Sequence, residues 1–356
     1  ITCEPCPSGG DCAGGLTQLD NIVVAEGFWT PPGAIIFYEC PLDGACIPGG
    51  SVTIGNTTSF SRHRCAAGHV GTLCAVCDDG YFQQFGRCVK CGGGKGAAWL
   101  IMLVLVLVVA GVGTLFFRFK EVLPVDQLKV ALSFLQIIAS ANTAYSIPWP
   151  PVFVGFLDTA RVFLVEVVSL TRANCAQPMS YYSSLTVTLV GFKVITVAIV
   201  VGPVLHRLSR RLSLVLTAAI AKAAQVDWSK VFKVAFLFLF VAYPSVSLKI
   251  MLLFKCVEVE GVPWLGVDMR LECYTGEWYG YALYAVIMGV MYTVGLPLVI
   301  AGILWKNRKR LQEAATLKRW GFLYEVYGAG AYMWEVEELV RKLILSALVV
   351  LVNDGN

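Results

Sequence analysis

Charge is scarce in this chain. Asp, Glu, Lys and Arg make up 15% of its 356 residues, where a soluble domain carries about a quarter. Histidine is nearly absent, limited to His63, His69 and His206. No P-loop, HExxH or GxSxG pattern occurs, so the usual phosphate, zinc-protease and serine-hydrolase machineries are missing. No apolar segment places Arg or Lys at every third position, and no Thr-Val-Gly-Tyr-Gly filter is present, which argues against a voltage sensor and a potassium-type pore. An enzyme is therefore not expected, nor a cofactor, nor a nucleic-acid partner. The net charge of +4 says little as a total; its distribution along the chain says more.

What the sequence has instead is apolar bulk, at 57% hydrophobic residues, and thirteen cysteines. Residues 98–116 contain no charge at all. At helical rise such a run covers about 28 Å, the hydrocarbon thickness of a bilayer. Directly before it lie Cys3, Cys6, Cys12, Cys40, Cys46, Cys65, Cys74, Cys77, Cys88 and Cys91. A cysteine-dense block joined to an apolar span reads as an ectodomain in an oxidising compartment. The expected organisation is a cysteine-rich ectodomain over 1–95 and a membrane domain over 96–356. A chain that begins at Ile1 with no leader is expected to be part of a longer protein with a targeting signal upstream.

The head is small and rich in glycine and proline, so covalent bridges must supply what a hydrophobic core cannot. Ten cysteines allow five bridges, and spacing does not dictate their pairing. Cys74-x2-Cys77 and Cys88-x2-Cys91 also have zinc-ribbon spacing. Their setting among six further cysteines, and the sequon at Asn56 with Thr57 and Thr58, favour disulfides in a lumenal, glycosylated block. No bound metal is expected.

Six segments look able to span: 97–117, 128–147, 182–205, 231–254, 279–305 and 334–352. With the head outside, 206–230 and 306–319 are cytosolic. They hold Arg207, Arg210, Arg211, Lys222 and Lys230, then Lys306, Arg308, Lys309, Arg310, Lys318 and Arg319. The opposite loop, 255–277, is acidic, with Glu258, Glu260, Asp268, Glu272 and Glu277. This asymmetry obeys the positive-inside rule. The basic loops also suit anionic lipid headgroups. Cys256 and Cys273 bracket the outer loop, where a bridge would contribute about 3 kcal/mol. Cys175 also falls outside, free to compete for one of these or to pair with the head. Residues 152–174, with Asp158, Arg161 and Glu166, read as an interfacial or re-entrant segment, because another crossing would invert the charge pattern.

Polar residues inside spans are functional candidates by default. Gln136 and Asn142 lie in the second span and Lys193 midway along the third, where it serves a pathway or a structural hydrogen bond. Lys249 lies near the outer end of the fourth span, where snorkelling is the simplest account. Pro244 and Pro297 should kink their helices. In the last segment, Glu337 and Glu338 are spaced to pair with Arg341 and Lys342.

Three stretches carry a resemblance: Leu135-Gln136-Ile137 through Trp149-Pro150; Phe254-Lys255-Cys256 with Asp268 and Cys273-Tyr274; and Gly321 through Tyr327 with Tyr332, Trp334, Glu335, Arg341 and Lys342. With the Cys65-to-Cys91 pattern, the chain resembles multi-pass surface proteins of algae and other protists, in which an EGF-like or ephrin-receptor-like cysteine repeat precedes a TRP-like, polycystin-related membrane region. The resemblance implies an all-α multi-pass membrane helix bundle with a small disulfide-rich extracellular head, in a plasma or ciliary membrane. It implies a cation channel or mechanosensory subunit. The alternative is a non-conducting anchor or receptor for a cell-wall or ciliary-surface glycoprotein structure. The partners expected are the lipid bilayer, an extracellular protein or glycoprotein bound through the head, and further copies or subunits in an oligomer.

Overall fold

A computed structural model of the chain describes residues 6–12, 22–31, 36–42, 44–54, 57–84, 87–92, 125–144, 150–160, 179–214, 228–327 and 329–352, with single positions at 100, 104, 107, 111 and 175. Two compact units emerge. The first joins Ile1–Gly111, Val168–Tyr181 and Lys255–Tyr279; the second joins Val112–Val167, Tyr182–Phe254 and Gly280–Asn356. The unit around the cysteine block thus extends past residue 95 and takes in two later pieces of the chain.

Unit one is a stack of antiparallel hairpins. They pair β1 (Gly10–Asp11) with β2 (Val23–Val24), β3 (Phe28–Trp29) with β4 (Tyr38–Glu39), and β5 (Cys46–Ile54) with β6 (Thr57–Cys65). Further on, β7 (His69–Val70) pairs with β8 (Val76–Cys77), β9 (Tyr81–Gln84) with β10 (Arg87–Lys90), and β11 (Cys256–Val259) with β12 (Val262–Leu265). Two-stranded ribbons are marginal alone, so bridges hold them: Cys6–Cys12, Cys40–Cys46, Cys65–Cys74, Cys77–Cys88, Cys91–Cys175 and Cys256–Cys273. Cys46 and Cys65 face each other in register across β5–β6, so two bridges leave one rung in different directions. Gly68 sits at φ 82°, against the ring of Tyr81, where any side chain would clash.

One small core gathers several of these ribbons. Trp29, Leu42, Ala45, Cys46, Leu73 and Cys74 pack with Val259 and Met269. The last two belong to the acidic connection 255–277, which is thus built into the head's interior. The Tyr38 hydroxyl accepts the Glu260 N–H at 3.3 Å. Asp268 holds Arg270 by two hydrogen bonds, at 2.7 and 2.9 Å, and that bonding raises the Arg270 pKa further above its ordinary value.

Unit two is helical. It contains α1 (Val125–Ala144), α2 (Pro151–Ala160), α3 (Tyr181–Leu214, whose first residue groups with unit one), α4 (Trp228–Leu252), and α5 (Gly276–Met288, which begins in unit one) running through a π-helical turn at Gly289–Val294 into α6 (Gly295–Asn307). After α7 (Ala314–Trp320) and short 3-10 turns, α8 (Trp334–Leu343) continues through a second π-helical turn, Ile344–Leu348, into α9 (Val349–Val352). Among the described residues, three stretches are long and apolar enough to cross a membrane: Tyr181–Gly202, Trp228–Leu252 and Gly276–Asn307. They coincide with the expected segments 182–205, 231–254 and 279–305. The segment 128–147 falls on α1, whose apolar run is the shorter Val130–Ala141. The segment 334–352 is one continuous helical path, but its first turns carry five charges. Segment 97–117 lies largely outside the described residues; of the expected segment 152–174, α2 covers the part up to Ala160, and 161–174, with Arg161 and Glu166, lies outside them.

Apolar side chains cover the outside of this unit. Leu283, Val290, Met291, Leu298 and Val299 are all at least 60% exposed. Several of its polar side chains turn inward, with Gln136, Ser140, Ser247, Glu335, Lys342 and Ser346 fully buried. A soluble domain has the opposite arrangement. The inversion is consistent with a membrane bundle.

Candidate functional site

The buried polar side chains form a seam between α1, α4, the π-helical turn after α5, and α8. Its logic begins with two prolines. Pro244 has no N–H, so the α4 carbonyl four residues back, at Phe240, loses its helical donor. The carbonyls on either side of Phe240 take side-chain donors from other helices. Tyr292 Oη donates to Leu239 O at 2.7 Å, and Gln136 Nε2 donates to Val241 O at 2.8 Å. Pro297 acts the same way one helix further on. It frees the carbonyl of Thr293, which accepts the Tyr243 hydroxyl at 2.7 Å. Ser247 Oγ lies 3.3 Å from Thr293 Oγ1 in the same layer. The carbonyl freed by Pro297 is thus closed by a side chain from a neighbouring helix, as burial without water demands. At Pro244, side chains from neighbouring helices reach the two carbonyls flanking the freed one.

Lys342 sits at the centre of the seam. Its ammonium donates to Gln136 Oε1 at 3.2 Å and lies 3.7 Å from the centroid of the Phe240 ring. Burying an ammonium costs several kcal/mol. A desolvated cation–π contact offsets about 2 kcal/mol of that, and a charge-assisted hydrogen bond adds about 1.5–3 kcal/mol. Gln136 therefore serves two partners, giving its amide N–H to α4 and its oxygen to Lys342. Glu335, buried two turns before Lys342, accepts the Tyr327 hydroxyl at 3.2 Å.

The expected pairings in α8 are thereby divided. Glu338 does bind Arg341, at 2.8 Å, but Lys342 faces the interior. Glu335, Leu339, Lys342 and Ser346 fall at alternating spacings of four and three along one helix face, all buried. That periodicity was the signal in the sequence, obscured by the closer i, i+4 match with Glu338.

The other candidates are placed as follows. Lys193 is exposed on α3; its ammonium donates to Tyr284 Oη at 3.2 Å and lies 4.8 Å from that ring's centroid. Asn142 lies in α1 and Asp158 in α2. Lys249 places its ammonium between Ser184 Oγ at 2.8 Å and Thr188 Oγ1 at 3.1 Å, so it is hydrogen-bonded within the helices rather than stretched toward a surface. Cys3 and Asn56 lie outside the described residues. Of the cysteines with zinc-ribbon spacing, Cys77 and Cys88 are bridged to each other, Cys74 to Cys65 and Cys91 to Cys175. Cys175, whose partner the spacing left open, closes on Cys91 across 84 residues. One cysteine of the head is thereby bridged to a later part of the chain.

A seam of this kind can hold one positive charge inside an apolar bundle and lock three helices against it. Any other arrangement of these helices would have to re-satisfy the same buried groups. Comparison with known protein families, with characterised proteins and with solved structures finds no match to this chain, and the geometry alone carries the functional reading.

Proposed function

We propose that this chain is the head and membrane bundle of a TRP-like cell-surface protein, working as a cation-channel or mechanosensory subunit rather than as an enzyme. The head is extracellular, at the plasma or ciliary membrane, where it receives load or binds an extracellular protein or glycoprotein. The observation that carries this reading is the place of Lys255–Tyr279. This segment joins α4 to α5, yet Val259, Leu265 and Met269 are buried within the head's unit. The Cys256–Cys273 bridge closes it. The chain therefore passes from α4 into the head's unit and back out into α5 through this one bridged segment. Both helical paths contain weak points, Pro244 in one and a π-helical turn in the other, where reorientation costs least.

The test is current from the full-length protein in whole cells or planar bilayers, at rest and with force applied through the tethered head. Met269→Asp, which inserts a charge into the core shared by the head and the α4–α5 connection, is the comparison. A cation current whose force dependence falls at least tenfold in the variant supports the proposal. Silence from protein at the surface with its disulfides formed overturns it in favour of a non-conducting anchor or receptor for an extracellular glycoprotein structure. A pull-down through the head would then identify what it holds.

A further inference from the structure

Lys193 is the thirteenth residue of the apolar stretch Tyr181–Gly202, twenty-two residues long. At helical rise it lies about 18 Å from one end and about 14 Å from the other, within about 2 Å of the middle. It is exposed, on a stripe of α3 that otherwise holds Val190, Val194, Val197 and Val201, all exposed as well. Beside the stripe, Leu283 and Ile287 of α5 are exposed at 64% and 48%. A lysine at such depth cannot bring its ammonium to a headgroup at either end, and its side chain is already directed to Tyr284. That contact satisfies one of its three N–H groups. Lys342 and Lys249, by comparison, each reach two partners inside the bundle. A charged side chain held at mid-depth on an apolar face is costly unless something covers it.

We propose that this face of α3 and α5 docks a transmembrane helix of a different membrane protein, one that carries a carboxylate at mid-depth opposite Lys193. Charge complementarity selects the occupant. A two-fold contact between copies of this chain would set Lys193 against Lys193. The stretches Tyr181–Gly202, Trp228–Leu252 and Gly276–Asn307 hold one acid between them, Glu277, at the extreme end of its helix. A second copy therefore presents no mid-depth carboxylate from these helices. Tyr284 contributes by fixing the ammonium's position, so that the incoming acid meets a preorganised cation flanked by valine and leucine. The inference does not depend on conduction, and an anchor would need such a partner as much as a channel.

The experiment uses the full-length protein in its native membranes, with the photo-crosslinker p-benzoylphenylalanine at Val194 and, as a control, at Leu298 on another exposed face. The expected result is one adduct specific to position 194, with a membrane protein bearing an Asp or Glu in a transmembrane segment. Lys193→Leu should reduce that adduct at least tenfold and Lys193→Arg should retain it. Lys193→Glu should restore it when paired with Lys at the partner's acid. Alkylation of free thiols in the head reports whether each variant has folded. An adduct between copies of this chain, an adduct indifferent to Lys193→Leu, or no adduct at 194 would overturn the proposal. So would modification of Lys193→Cys by a membrane-impermeant methanethiosulfonate, which would place this position in water.

Discussion

Gln136→Leu is the sharpest test of the buried seam. The substitution keeps the volume and removes the hydrogen bonds of Gln136 to Val241 O and from Lys342. A hydrogen bond to a charged group contributes about 1.5–3 kcal/mol and a neutral one about 1 kcal/mol. Hydrogen bonds between membrane helices measure lower, about 0.6 kcal/mol on average and about 1.7 at most. Lys342 stays buried with a weakened shell, which raises the cost again. The expected destabilisation is about 2–3 kcal/mol. Lys342→Met removes the charge together with its desolvation penalty and fills the space beside Phe240, so it should cost only about 1 kcal/mol. The double variant should then be more stable than Gln136→Leu alone, with a coupling of at least about 1 kcal/mol in a double-mutant cycle. The assay is SDS or thermal unfolding of the full-length protein in mixed micelles. If Gln136→Leu costs no more than Lys342→Met, or if the two effects simply add, Lys342 is not held as argued here.

Three further outcomes are expected. Tyr243→Phe leaves the Thr293 carbonyl without its donor and should cost about 1–2 kcal/mol; the loss should shrink in a Pro297→Ala background, where a backbone N–H returns, as the same unfolding assay would show. Cys175→Ser should expose one reactive thiol at Cys91, read by maleimide mass-tagging under non-reducing conditions, and leave the Cys77–Cys88 bridge intact. Gly68→Ala, at a left-handed position against the Tyr81 ring, should cost more than about 1 kcal/mol and lower the yield of correctly oxidised head, measured by non-reducing electrophoresis.

Much was legible from local pattern. Cysteine density called for disulfides, and the structure bridges twelve of those residues. The apolar runs at 182–205, 231–254 and 279–305 fall on helices long enough to cross a membrane, because hydrophobic length is a property of contiguous residues. Cys256 and Cys273, at the two ends of one loop, could be paired by proximity. Cys91 and Cys175 could not, since nothing local brings together positions 84 residues apart. The same limit hid the role of Lys342: short-range spacing offered it Glu338, whereas its partners lie 206 residues back, at Gln136, and on α4.

Composition and periodicity by themselves determined an oxidising, disulfide-held head and an apolar helical remainder, because burial in lipid and covalent stapling each leave a signature in neighbouring residues. Only the tertiary structure decided which lysine is buried and which is exposed. It also decided that the donor missing at Pro297 is replaced from a neighbouring helix, and that the α4–α5 connection belongs to the head. Each of these depends on groups distant in sequence meeting at hydrogen-bond distance, and chain order does not encode that distance locally.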